Sequence, residues 1–104
     1  MTIKDLVFEA HEVAKDHGWW EEPRSPLEIA ALIHTEVAEF TEEFRKPSVQ
    51  EDGGKPVGPL YEIADIIIRC ADYCGHQGWD LEKAIREKMD YNRSRSYRHG
   101  GKKY

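Results

Sequence analysis

Apolar residues recur with a helical period from Thr2 to His17, at Ile3, Leu6, Val7, Ala10, Val13 and Ala14. This is the i, i+3, i+4, i+7 pattern of a helix with one buried face. Thr2 can cap its start, and Gly18 is placed to end it at the C′ position. Trp19 and Trp20 then lead into the turn Glu21-Glu22-Pro23-Arg24. The second helix has a sharper start signal: Ser25 as N-cap, Pro26 at N1, and Glu28 at N3 to complete a capping box. It is predicted to run to about Lys46, where Pro47 stops it. Its apolar positions are Leu27, Ile29, Ala30, Leu32, Ile33, Val37, Phe40 and Phe44. A loop rich in Gly, Pro and polar residues follows from Pro47 to Pro59.

The third helix is predicted over roughly Leu60 to His76. Ile66-Ile67-Ile68 has strand character, but the surrounding period and length favour a deeply buried helix. Gly78 breaks the chain, Trp79 can act as a staple, and Asp80 can cap a fourth helix. That helix carries Leu81, Ala84, Ile85 and Met89, then passes into the basic stretch from Tyr91 to Arg95. A basic tail is expected from about residue 96. The pattern is all-α, in a single domain of 104 residues. A chain this short buries only somewhat more than about 60% of its unfolded surface. Phe40, Phe44 and the Ile66–Ile68 run are therefore hard to cover within one subunit. We expect a four-helix bundle completed by oligomerisation, as a homodimer or homotetramer.

Composition narrows the class. The chain is 39% hydrophobic and 34% charged, which suits a soluble helical protein and argues against disorder. No apolar run approaches the roughly 18 residues of a membrane span. No basic start leads into an apolar core, so no signal peptide is read and a cytoplasmic location is expected. Cys70 and Cys74 are too few for a disulfide framework and suit a reducing compartment as core residues.

Net charge is −5, unevenly spread. Eight of the fifteen Lys and Arg residues lie between Lys83 and Tyr104, against two acids, Glu87 and Asp90. Glu28 to Asp65 holds nine acids against three bases. An acidic middle with a basic tail fits a nucleic-acid-binding module. It equally fits metal-binding carboxylates facing phosphate-binding cations.

Two acidic pairs carry the second reading. Glu36 and Glu39 are i, i+3 on the second helix, and Glu62 and Asp65 are i, i+3 on the third, so each pair shares a face. The connecting loop is long enough for an antiparallel return that lets the pairs meet. Four converging carboxylates repel unless a cation lies between them, and oxygen-only ligands select Mg²⁺ or Mn²⁺ over zinc. Acidic stripes are most often solvated faces, and Glu42 and Glu43 are read that way. The second pair differs because it adjoins Ile63, Ile66 and Ile67, where an unpaired charge is costly. A di-iron centre would need Glu-x-x-His, and neither pair has a His at that offset. On the fourth helix, Lys88, Asn92 and Arg95 form one stripe at i, i+4, i+7. It continues the line of Leu81, Ala84 and Ile85, which is expected to lead toward the carboxylates. Lys, amide and Arg together suit a polyphosphate, although a solvated face explains the stripe as well.

These residues resemble the MazG-like all-α nucleoside triphosphate pyrophosphohydrolases. The motif reads Glu36-Val37-Ala38-Glu39, twenty-two intervening residues, then Glu62-Ile63-Ala64-Asp65, and the stretch from Lys88 to Lys102 resembles the family's C-terminal block. Thr35 stands where a fuller form of the signature has a further Glu. The resemblance implies Mg²⁺-dependent hydrolysis of a nucleoside triphosphate to the monophosphate and pyrophosphate. Glu36, Glu39, Glu62 and Asp65 would hold the metal, and Glu39 is our choice of base for the attacking water. Lys88, Asn92 and Arg95 would contact phosphate or sugar, with His99 and Lys102 as helpers. A phosphoribosyl-ATP pyrophosphohydrolase-like enzyme shares this logic and is the enzymatic alternative. Trp19 and Trp20 can stack on a base but more often seal a helix corner. His11, His17 and His76 have no partner that the sequence names.

Overall fold

A computed structural model describes residues 1–49 and 53–95. Those residues form four α-helices: α1 (Ile3–Asp16), α2 (Pro26–Arg45), α3 (Pro59–Gln77) and α4 (Leu81–Ser94). No strand occurs among the described residues. The Ile66-Ile67-Ile68 run is helical, as the surrounding period requires.

Local chemistry sets the helix ends. Thr2 and Asp5 form a full capping box on α1, each side chain bonded to the other's backbone N–H at 3.0 Å. At α2 only half of the expected box forms. Ser25 Oγ accepts from Glu28 N at 3.1 Å, but the Glu28 carboxylate turns to Arg24 Nη1 at 2.7 Å. A guanidinium one helical turn away offers a charge-assisted bond that a lone backbone N–H does not match. Asp80 caps α4 by accepting from Lys83 N. Gly18 (φ +81°) follows α1 as expected, and Gly78 (φ +70°) closes α3 in the left-handed conformation.

The central helix is α3: α1 and α2 both pack on it, and α4 leans on α1. Gly75 is what allows α1 to come so close. A Cβ there would lie 2.6 Å from His11 Cβ and 3.2 Å from the Val7 carbonyl oxygen. Within one chain the core is thin, with Ala10, Ile29 and Ala71 the only hydrophobic residues fully buried among those described. The deep burial expected of α3 is not reached. Ile63, Ile67 and Ile68 stay substantially exposed, as do Leu60 and Phe44, because the face that α3 turns inward is largely charged. No helix among the described residues is long and apolar enough to cross a membrane.

Candidate metal centre

The face of α3 directed at its neighbours carries Glu62, Asp65, Arg69 and Asp72, spaced i, i+3, i+7, i+10 so that they line one stripe. On α2 the facing stripe is Glu36, Glu39 and Glu43 at i, i+3, i+7. The two stripes run antiparallel, so Glu43 influences Glu62 at one end, while Glu36 reaches Asp65 and Arg69 at the other. Glu36, Glu62 and Asp65 each offer a carboxylate oxygen within 4.8 Å of the other two. Glu39 lies near both Glu36 and Glu62, and its charge acts on each of them. All four carboxylates read as ligands from the sequence are therefore brought together, three of them in one tight triad.

The electrostatics follow from that crowding. Burial, then the negative charges of Glu39 and Asp65, push the Glu36 carboxyl above its ordinary value of 4.5, while Arg69 pulls the other way. Burial and the charges of Glu39, Asp65 and Glu43 likewise push Glu62 up, against Lys55. Glu62 Oε2 is buried with no hydrogen-bond partner. A shielded carboxylate oxygen without a donor, among like charges, suits a cation. The donor set is all oxygen, as a hard divalent ion prefers.

The cations set against the cluster are Arg69 and Lys55 rather than the α4 stripe. Arg69 Nη2 stands 3.9 Å from Glu36 Oε1. Its guanidinium lies 3.8 Å from the centre of the Trp19 ring, and that of Arg24 lies 3.9 Å from the same centre. Two guanidiniums that close cannot share one face, so Trp19 is sandwiched between them. Arg24 also donates from Nε to the Trp19 carbonyl at 3.0 Å, fixing the α1–α2 corner. On α4, Lys88 and Asn92 are exposed, and Lys88 and Arg95 lie 5.6 and 5.4 Å from the Tyr91 ring centre. α4 packs against α1, not along the carboxylate helices. The line from Leu81 and Ile85 therefore leads to α1, contrary to the path expected from the sequence. His99, Lys102 and the tail from about 96 lie outside the described residues.

Two groups of residues escaped the sequence reading. Glu43, taken for a solvated residue like Glu42, is buried. Its carboxylate accepts from Ser48 N at 3.2 Å and from Ser48 Oγ. Its place at i+7 from Glu36 was the available signal. The second group lies deeper along α3. Asp72 is 2% exposed and accepts on Oδ1 from Trp20 Nε1 at 2.8 Å, with His11 Nδ1 2.9 Å away. Trp20 stacks on His76 at 3.7 Å between ring centres. Cys70 and Cys74, expected in the core, are half-buried, and burial pushes both thiols up and away from the reactive thiolate.

A groove of about 450 Å³ runs from Glu36, Asp65 and Arg69 along α1, past Trp19 and Ala10, to Asp72. This is within the size range of small-molecule sites. No known protein family, curated protein or solved structure matches this chain.

Proposed function

We propose that the protein is a divalent-metal-dependent nucleoside triphosphate pyrophosphohydrolase of MazG-like type, releasing the monophosphate and pyrophosphate. The observation that carries this reading is the triad Glu36, Glu62 and Asp65, with ligand atoms within 4.8 Å of one another, two of whose members, Glu36 and Asp65, line a groove of nucleotide size. Glu36, Glu39, Glu62 and Asp65 would hold Mg²⁺ or Mn²⁺. Such an ion supplies neutralising charge for the polyphosphate and acidifies water. Glu39, exposed and beside both Glu36 and Glu62, would take the proton from attacking water. Arg69, between Trp19 and Glu36, keeps a planar cation beside the cluster and offsets part of the Glu36 charge.

The active form is an oligomer, dimer or tetramer, which covers Leu60, Ile63, Ile67 and Phe44 and makes up the thin core. Pyrophosphate release from a panel of nucleoside triphosphates tests the activity. Turnover is expected with Mg²⁺ or Mn²⁺, poor turnover with Ca²⁺, whose looser coordination fits badly, and none in EDTA. Full activity in excess EDTA overturns the reading.

A further inference from the structure

The groove ends on a side chain that the hydrolytic reading leaves unused. Asp72 lies two helical turns beyond Asp65 on the same stripe of α3, about 10 Å along the axis at the rise of an α-helix. Trp20 holds its Oδ1 from one side and His11 lies beside it. Since an indole N–H can only donate, Oδ1 is fixed as an acceptor. The other oxygen, Oδ2, is buried and has no hydrogen-bond partner, although Asp72 lines the groove together with Ala10, Trp19 and Ile68. A shielded carboxylate oxygen without a donor is unfavourable as it stands. Trp20 Nε1 is already committed to Oδ1, and the two other buried donors of the groove lining, Trp19 Nε1 and Arg69 Nε, have no hydrogen-bond partner either, so neither of them serves Oδ2. With no donor of the chain bonded to Oδ2, an N–H on a molecule that enters the groove can satisfy it.

We propose that Asp72 Oδ2 accepts a hydrogen bond from the exocyclic amine of a nucleobase. The site then selects 4-aminopyrimidine or 6-aminopurine nucleotides over their 4-oxo and 6-oxo counterparts. This rests on the nucleotide reading of the carboxylate cluster. With the polyphosphate anchored at Glu36 and Asp65, a nucleoside lying along the groove spans roughly the distance of two helical turns. Its farthest atom is the substituent at C4 of a pyrimidine or C6 of a purine. An amine there gives Oδ2 its donor. A carbonyl oxygen there opposes a carboxylate oxygen with no proton between them. Ala10 and Ile68 supply flat aliphatic walls for the ring, while both faces of Trp19 are occupied, so specificity falls to the base edge. A site that hydrogen-bonds a substrate group rejects the analogue lacking it far more strongly than an apolar pocket rejects a change of size.

The test compares kcat/KM within two pairs that differ in that substituent, dCTP against dUTP and ATP against ITP, with Mg²⁺. The amino member is expected to win in both pairs by at least about tenfold, where a dedicated hydrogen bond can reach about 10⁴-fold. Asp72→Asn keeps an oxygen for Trp20 and puts an amide N–H₂ in place of Oδ2. It should shrink the amino preference by about tenfold or reverse it. Equal kcat/KM within both pairs for the wild-type protein, or a preference for the oxo members, overturns the assignment whatever the variant does. If no triphosphate turns over, the hydrolase reading fails and the assignment is judged by calorimetry with dCMP and dUMP. Tighter binding of dCMP supports it, whereas equal or absent binding of the two overturns it.

Discussion

Replacing Asp65 by Asn removes one charge from three carboxylates whose ligand atoms lie within 4.8 Å of one another. Two unit charges at that separation repel by about 1 kcal/mol under the screening of bulk water, and by about 3 kcal/mol at an effective dielectric near 20. Asp65 is exposed, so the lower figure governs, and its pairings with Glu36 and Glu62 come to about 2 kcal/mol. Solvent screening and side-chain relaxation at an exposed position absorb part of this repulsion, leaving about 1 kcal/mol to be gained. In a domain of this size about 1 kcal/mol moves the melting temperature by roughly 4–8 °C. Without metal, the variant should therefore melt no lower than the wild type and up to that much higher. Metal reverses the order. Binding contributes RT ln(1 + [L]/Kd), about 2.7 kcal/mol at a hundred times Kd, so saturating Mg²⁺ should raise the wild type by about 10 °C or more and hardly move the variant. Loss of one ligand should also cut pyrophosphate release at least about a hundredfold, equivalent to about 3 kcal/mol of transition-state stabilisation. Thermal melts with and without Mg²⁺, beside the release assay, read all three effects. If Asp65→Asn keeps both its activity and its Mg²⁺-induced shift, Asp65 is part of a solvated acidic face and the metal reading of the cluster fails.

Light scattering at micromolar concentration should return a mass of two or four chains, and a value near the 12.1 kDa of a single chain would show that one subunit covers itself. Glu36 and Glu62 have folded-state pKa values above their ordinary 4.5, so their share of stability is fully present below 4.5 and is lost as pH rises through the raised values. Metal-free protein should accordingly lose melting temperature over that window, with Mg²⁺ restoring it at neutral pH, where the carboxylates are charged; a metal-free melt that rises across the window from these groups would contradict the crowding. Gly75→Ala should lower the melting temperature by about 5 °C or more, because its Cβ would meet His11 Cβ at 2.6 Å and overpacking outweighs the helix propensity that alanine gains. An unchanged melt would show that α1 gives way freely.

What could be read from the sequence was what neighbouring residues decide. Helix starts at Thr2, Ser25 and Asp80, and the stops at Gly18 and Gly78, depend on caps within one turn. The i, i+3 carboxylate pairs depend only on helix period and a loop of sufficient length. The readings that failed needed partners from elsewhere in the chain. Glu28 left its box because Arg24 competes for its carboxylate. Glu43 is buried because the turn after Pro47 brings Ser48 back to it. The Asp72–His11 contact joins residues 61 apart in sequence, and no periodicity within α1 or α3 announces it. The α4 stripe failed for a geometric reason, since a line of residues on one helix does not reveal which neighbour that helix will choose.

The charged stripe on α3 and the exposed apolar residues on the same helix have a common cause. A central helix normally turns its most apolar stripe toward the elements packed on it. Here the stripe facing α1 and α2 is Glu62, Asp65, Arg69 and Asp72, so the complementary stripe, Leu60, Ile63 and Ile67, is left 70, 39 and 48% exposed. The arrangement sacrifices the monomeric core twice, once by crowding carboxylates whose charges repel between the helices and once by leaving aliphatic side chains uncovered. Neither cost is tolerable alone in a chain that fully buries so few hydrophobic side chains. A second subunit on the outer stripe would offset one, and a cation between the carboxylates would offset the other. Because both would act on α3, each contribution would steady the helix that the other requires. Oligomerisation and cation binding should therefore be thermodynamically linked in this protein, each strengthening the other by the same factor.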